Sequence, residues 1–213
     1  MSITEKDTTR YLQMIAGLTT DEGMIEMETF AQRQIIPIIH KEASAVLKYF
    51  IETERPKRIL ELGTAMAYSS ILMANSDSEI QVDTIERDPN MIKLARANIR
   101  AFDLAERIQL MEGEIDQILK ELTGPYDFFF IDAGKSHYRE YLDRCLEIAN
   151  PGAMFFCDNI LVRGLIAKEG IVRKQSTIIM NMRKFIEEVT LDKRFHSMVL
   201  PVGDGLMIIK CKE

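Results

Sequence analysis

The stretch Phe129-Phe130-Ile131-Asp132-Ala133-Gly134-Lys135 decides how this chain is read. An apolar run bounded by turn signals reads as a strand buried on both faces, and this one ends abruptly in a carboxylate. Phe155-Phe156-Cys157-Asp158-Asn159 repeats the pattern. In open α/β sheets, ligands bind just beyond the carboxyl ends of such strands. Asp132, Asp158 and Asn159 are therefore expected to converge on one pocket, with Lys135 at its lip. Hard oxygen donors without soft ones suit Mg²⁺ or Ca²⁺ rather than zinc.

Outward from these runs, strand and helix patterns alternate. Strands are predicted at Arg58–Leu62, Gln81–Glu86, Arg107–Met111, Tyr126–Asp132 and Ala153–Cys157. Helices are predicted near Tyr68–Asn75, Pro89–Phe102, Ile115–Leu122 and Ser136–Ala149. Such alternation implies a parallel sheet covered by helices on both faces. A helix over Thr177–Thr190 leads to strands Phe195–Leu200 and Leu206–Lys210, which the turn-rich linker Pro201–Gly205 makes an antiparallel hairpin. Residues 1–57 read as a helical section. Tyr11, Leu12, Ile15 and Leu18, then Ile25, Phe30 and Ile35, recur at helix spacing. Pro37 interrupts, and a third helix carries Ala43, Val46, Leu47, Phe50 and Ile51. No linker divides the chain, so one domain over 1–213 is expected, with its core over 58–213.

A chain of 213 residues, 46% hydrophobic and 28% charged, has the composition of a soluble globular protein able to bury its own core. No apolar stretch is long enough for a membrane span, and Met1–Arg10 has no signal-peptide pattern. Cys145, Cys157 and Cys211 are odd in number and far apart, which argues for a reducing, cytoplasmic setting over a disulfide framework or zinc site. His40, His137 and His196 make no metal-ligand spacing and read as surface or packing residues. The net charge of −6 argues against a broad nucleic-acid footprint. Met14, Met24, Met27 and Ile36 add apolar surface to the helical section, pointing to a homodimer through it.

The loop after the first strand, Glu61-Leu62-Gly63-Thr64, has a glycine that lets the backbone turn tightly beside a ligand. Glu86 ends the next strand, where a carboxylate can accept both hydroxyls of a ribose. A dehydrogenase-type loop needs further glycines, and Ala65 and Ala67 stand instead, which disfavours a nicotinamide oxidoreductase and favours a nucleoside ligand without phosphates. Glu114 and Ile115 follow the third strand, where they can edge and cover an adenine or simply open a helix. A carboxylate behind Phe128–Ile131 is costly unless paired or bound to a cation, so Asp132 reads as a ligand, with Ser136 the better helix cap. Near a cation the Lys135 ammonium is disfavoured, which suits a general base.

These residues together resemble the class I methyltransferases that use S-adenosylmethionine. More narrowly they resemble the Mg²⁺-dependent O-methyltransferases that include catechol and caffeoyl-CoA enzymes. The likeness is densest at Ile59–Ala65, Thr84–Asp88, Phe130–Ala133, Asp158–Leu165 and Pro201–Leu206. Pro56–Glu61, Ile85–Arg87 and Asn159–Leu165 are most similar to the bacterial branch that methylates 5-hydroxyuridine at the tRNA wobble position. The resemblance implies a Rossmann-like, seven-stranded, mostly parallel sheet with a C-terminal antiparallel hairpin. It implies Mg²⁺ on Asp132, Asp158 and Asn159, with Lys135 and Asp132 catalytic. It implies S-adenosylmethionine contacts at Ile39, Glu61, Gly63, Ser69, Glu86, Glu114, Ile115 and Asp132. Ala67, Glu114 and Gly134 depart from the family's usual glycine, aspartate and alanine. The basic residues Arg163, Lys168, Arg173, Lys174, Arg183 and Lys184 cluster after Asn159 and suit the phosphates of a tRNA anticodon loop. A small catechol-like hydroxyl substrate, or a noncatalytic cofactor-binding module, are the competing readings.

Overall fold

A computed structural model describes residues 6–18, 21–168 and 176–212. Three helices, α1 (Lys6–Gly17), α2 (Glu22–Gln34) and α3 (Lys41–Glu54), precede the alternating part. That part runs β1 (Arg58–Leu62), α4 (Tyr68–Asn75), β2 (Gln81–Glu86), α5 (Pro89–Ala101), β3 (Ile108–Glu112), α6 (Ile115–Glu121), β4 (Tyr126–Ile131), α7 (Tyr138–Glu147) and β5 (Ala149–Cys157). Helix α8 (Ser176–Leu191) and strands β6 (Phe195–Leu200) and β7 (Leu206–Cys211) close it.

The strands form one seven-stranded sheet in the order β3-β2-β1-β4-β5-β7-β6. β1 to β5 are parallel, and β7 lies antiparallel to both β5 and β6. This is the Rossmann-like α/β architecture. The order reverses between β1 and β4, so the chain leaves these two strands toward opposite sides and a crevice opens at their carboxyl ends.

Alternate residues of the central strands supply two cores. Ile59, Phe128, Phe130 and Phe156 pack on the face covered by α2–α5. Leu60, Leu62, Phe129, Ile131 and Phe155 pack on the face covered by α7 and α8, where the Phe129 and Phe155 rings stack with centroids 4.4 Å apart. Both faces are buried, which is why these strands read as continuous apolar runs. Among the described residues, no helix is long and apolar enough to cross a membrane.

Four expectations need correction. Helix α7 starts at Tyr138 with His137 at its cap position, so Ser136 does not cap it. Gly134 takes φ +61 there, and the extra turn delays the helix. Strand β5 begins at Ala149, not Ala153: Tyr126 pairs with Ala149 across a register irregularity, the setting in which Pro151 is tolerated inside a strand. Helix α2 ends at Gln34, ahead of Pro37, with Ile35 left-handed at its cap. Met24 and Met27 are core residues 3% and 5% exposed, so they offer no surface to a partner. The outer face instead carries Tyr11, Met14, Leu18 and Ile35, all more than half exposed.

Candidate active site

The register of the central strands sets the site. Leu62 pairs with Ile131 and Ile131 with Cys157, so Gly63, Asp132 and Asp158 leave their strands at one level. Backbone bonds Asp132 N to Leu62 O (3.1 Å) and Asp158 N to Ile131 O (3.0 Å) extend that alignment past the strand ends. Asn159 Nδ2 donates to Asp132 Oδ1 at 2.8 Å, which brings the two strand tips into contact. Asp158 is wholly buried; its Oδ1 accepts from Asn159 N at 2.6 Å, and its Oδ2 has no partner. Burial, then the neighbouring Asp158 charge, holds the Asp132 carboxyl above the usual range. Burial raises Asp158 too, against its bond from Asn159 and the charges of His40 and Lys135.

Among the described residues no three His, Cys, Asp or Glu side chains gather to hold a metal. The expected trio is two carboxylates and a carboxamide, and its fit to a hard divalent ion rests on other grounds. A buried carboxylate oxygen without a donor is costly, and a second carboxylate beside it raises that cost. A divalent cation removes both penalties, and turning the Asn159 amide over would present its oxygen. The residues therefore fit the ion.

Lys135 Nζ lies 3.9 Å from Asp204 Oδ2. Asp204, in the β6–β7 turn, also accepts from Arg163 N. This turn ties the loop after β5 to the site, and Asn159, Val162 and Arg163 all take left-handed backbone there. Asp204 and His40 were not singled out by sequence reasoning. His40 is exposed, as the sequence reading had it, and it also lines the cleft. Neither stands at the end of a buried run, so no local signal marked them.

Two cavities meet at Gly63, Glu86 and Ala133. The larger, about 1280 Å³, is lined by Ile39, His40, Asp132, Lys135, Asn159 and Arg163 among others. The smaller, about 310 Å³, is lined by Glu86, Glu114, Ile115, His137 and Tyr141 among others. Gly63 is at φ +105, and a Cβ on it would stand 2.9 Å from the Ala133 Cβ, so glycine is required where the cavities join. Gly134 is equally constrained, since a Cβ there would lie 2.7 Å from the Tyr141 hydroxyl. Ala67 takes the left-handed conformation (φ 68), which explains why glycine is usual at that place.

Glu86 accepts from Ala65 N at 2.8 Å and from Arg87 N and Asp88 N, which aims its carboxylate at the junction. Glu114 is exposed and pairs with Arg87 at 3.1 Å. Glu61 and Ser69 do not line either cavity. Glu61 is fully buried under the loop and accepts from Ser69, Ser70 and Thr84; burial pushes its carboxyl up to about 7 despite those bonds.

The basic cluster divides. Arg163 lines the cleft. Lys168 is exposed. Arg183 is spent on the carbonyls of Ile166 and Lys168, and Lys184 pairs with Glu188 at 3.6 Å. Arg173 and Lys174 lie outside the described residues.

Comparison with known proteins bears on the family and the fold. A family model described as O-methyltransferase matches residues 19–212. A catechol O-methyltransferase from Niastella koreensis is 29% identical over 165 residues, 75% of each chain. A caffeoyl-CoA O-methyltransferase from Populus kitakamiensis is 28% identical, over 77% of this chain and 74% of its own. Among solved structures, the S-adenosylhomocysteine-bound methyltransferase PaMTH1 of Podospora anserina shares the fold, with TM-score 0.86 and 23% identity over 100% of this chain and 99% of that one.

Proposed function

The chain belongs to the O-methyltransferase family, and from that premise we propose that it moves a methyl group from S-adenosylmethionine to a hydroxyl with a second oxygen beside it. The observation that carries the reading is the unpartnered, buried Asp158 Oδ2 beside Asp132 and Asn159. Asp132, Asp158 and Asn159 would hold Mg²⁺, which when bound supplies a Lewis acid that favours the ionised acceptor hydroxyl. S-adenosylmethionine supplies the electrophilic methyl group. Glu86 would accept the ribose hydroxyls, and Glu114 with Ile115 would take the adenine in the smaller cavity. Gly63 and Asp132 lie where the two cavities meet, and Ile39 borders the larger. Glu61 and Ser69 support the loop from below. Lys135 would receive or offset the hydroxyl proton from the lip of the cleft, held there by Asp204. Methyl transfer to an ionised oxygen neutralises charge, so the protein's main task is alignment.

The proposed acceptor is 5-hydroxyuridine at the tRNA wobble position, whose hydroxyl and neighbouring carbonyl oxygen form such a pair. It is supported by the sequence resemblance and by Arg163 at the cleft, with Lys168, Arg173 and Lys174 as further phosphate partners. A small catechol-like acceptor is the second reading, favoured by the names of the curated relatives. The exposed outer face of α1 and α2 supports a homodimer, which light scattering tests. The deciding experiment is transfer of labelled methyl to tRNA lacking 5-methoxyuridine, set against catechol, each with and without EDTA. Turnover on catechol alone would move the assignment to the second reading. Full turnover after exhaustive chelation would end the metal-assisted one.

A further inference from the structure

Away from the metal-ligand trio, the hydroxyl of Tyr141 borders a cavity with its hydrogen-bonding capacity unfilled. The residue lies on α7 and is 6% exposed. Its ring joins the core and stacks on His137, with centroids 5.9 Å apart. The hydroxyl makes no hydrogen bond among the described residues, yet it is not sealed in the core, and the residue lines the smaller cavity of about 310 Å³. Its neighbours fix where it stands. A Cβ on Gly134 would lie 2.7 Å from the hydroxyl oxygen, and the charges of Asp116, Arg87 and Glu114 act on it. All four of those residues line the same cavity. Burial, then the Asp116 charge, pushes the phenol up to about 12, so it stays protonated and able to donate.

We propose that the Tyr141 hydroxyl reads the base of the cofactor by hydrogen-bonding one nitrogen on the edge of its purine. The inference rests on the reading that places adenine in the smaller cavity, and deepens it from occupancy to base selection. A desolvated hydroxyl without a partner is costly, and a site built around one rejects a ring of the same shape that lacks the matching atom. A purine edge offers acceptor ring nitrogens and an amino donor, and a phenol can serve either. Other polar side chains of this cavity are already engaged. Arg87 pairs with Glu114, and His137 with Glu140 at 2.9 Å. Tyr141 is both buried and uncommitted, so its hydrogen bond is left for a ligand to complete. The absence of a side chain on Gly134 leaves the hydroxyl room to stand there. The competing role for Tyr141 is packing, beneath α7 and against the turn at Gly134. That role would affect stability and weaken every cofactor analogue alike.

The test titrates the full chain with S-adenosylhomocysteine by calorimetry, beside its 1-deaza, 3-deaza and 7-deaza counterparts and the analogue without the 6-amino group. The wild type should bind at least one of the four about five-fold more weakly than the parent, the share of one neutral hydrogen bond. Tyr141→Phe, which keeps the ring, should weaken the parent by a similar factor. For one of those weakened analogues the same substitution should cost nothing further, because the atom it would pair with is already gone. Equal binding of the parent by wild type and Tyr141→Phe overturns the proposal, as does a loss of one size for the parent and all four analogues. Should Tyr141→Phe fail to fold, equal binding of all five compounds by the wild type overturns it on its own, and a selective loss supports it. Any of these results alongside methyl transfer leaves the methyl-transfer reading intact. If the wild type binds no S-adenosylhomocysteine, both fall together. If the Tyr141-dependent pattern holds and no acceptor is methylated, base recognition stands and the methyl-transfer reading falls.

Discussion

Glu61 lies on β1 and Asp158 just past the end of β5; both are wholly buried carboxylates, and burial raises the proton affinity of both. They differ in what surrounds their oxygens. Glu61 accepts from the hydroxyls of Ser69, Ser70 and Thr84, which leave neither of its oxygens without a donor and fix the loop that carries Gly63. Asp158 has one oxygen taken by its neighbour's amide and one left over. Burial and a shifted pKa therefore do not separate a structural acid from a ligand here. Unfilled hydrogen-bonding capacity does, because a fold that desolvates an oxygen without supplying a donor leaves that donor to come from outside.

The largest effect should come from Asp158→Ala. Methyl transfer should fall by at least about 10³-fold, since a Lewis acid in such a site is worth several kcal/mol. Cofactor affinity should stay within about three-fold, and the melting temperature should hold or rise, because an unpaired buried charge is gone. An active variant would erase the distinction between the two acids. Lys135→Met should follow, with kcat down roughly 10²-fold, the lower end of general acid–base contributions. It should leave EDTA sensitivity intact. If kcat barely moves, Lys135 serves only as the partner of Asp204.

Glu61 sharpens the contrast through pH. Its folded pKa of about 7 lies above the ordinary 4.5, so the folded protein keeps this proton longer than the unfolded chain. Stability from this group is thus lost as pH rises from about 4.5 to about 7, by roughly 3 kcal/mol in all. Glu61→Gln carries no such titration. Urea unfolding at pH 5 and pH 8 should show the variant gaining on the wild type at the higher pH, by roughly 2–3 kcal/mol. A difference that stays flat with pH would mean that Glu61 remains ionised and that its hydroxyl partners compensate it fully.

How much of this was legible depends on where each residue sits along the chain. Asp132, Asp158 and Asn159 stood out because each follows an apolar run, and the parallel order sends such ends to one edge. Asp204 and His40 come from a hairpin turn and from the chain just before α3, and only tertiary packing brings them to the cleft. In α2 the helix period was readable but the inward face was not. Ile25 and Phe30 suggested one stripe, while Met24, Met27 and Ala31 form the buried one. Both spacings suit a helix, and the sheet decides between them. Ser136 failed as a cap because the left-handed Gly134 lengthens the turn, a backbone choice its neighbours do not announce.

The smallest effect belongs to a third acid, which bounds the comparison. Glu114 is about half exposed, with a side-chain exposure of 54%, and its partner Arg87 is at 71%. Water satisfies such a carboxylate at little cost, so its spare hydrogen-bonding capacity signals nothing and the ion pair is worth well under 1 kcal/mol. Glu114→Ala should therefore leave the melting temperature unchanged within error. Because Glu114 borders the smaller cavity, the same change should weaken S-adenosylmethionine binding by about three-fold, one exposed hydrogen bond's share. Glu114→Asp, the residue usual in the family, should recover it. If Glu114→Ala instead destroys cofactor binding, exposure is no guide to which acids this cleft depends on, and the rule drawn from Glu61 and Asp158 would hold only for fully buried groups.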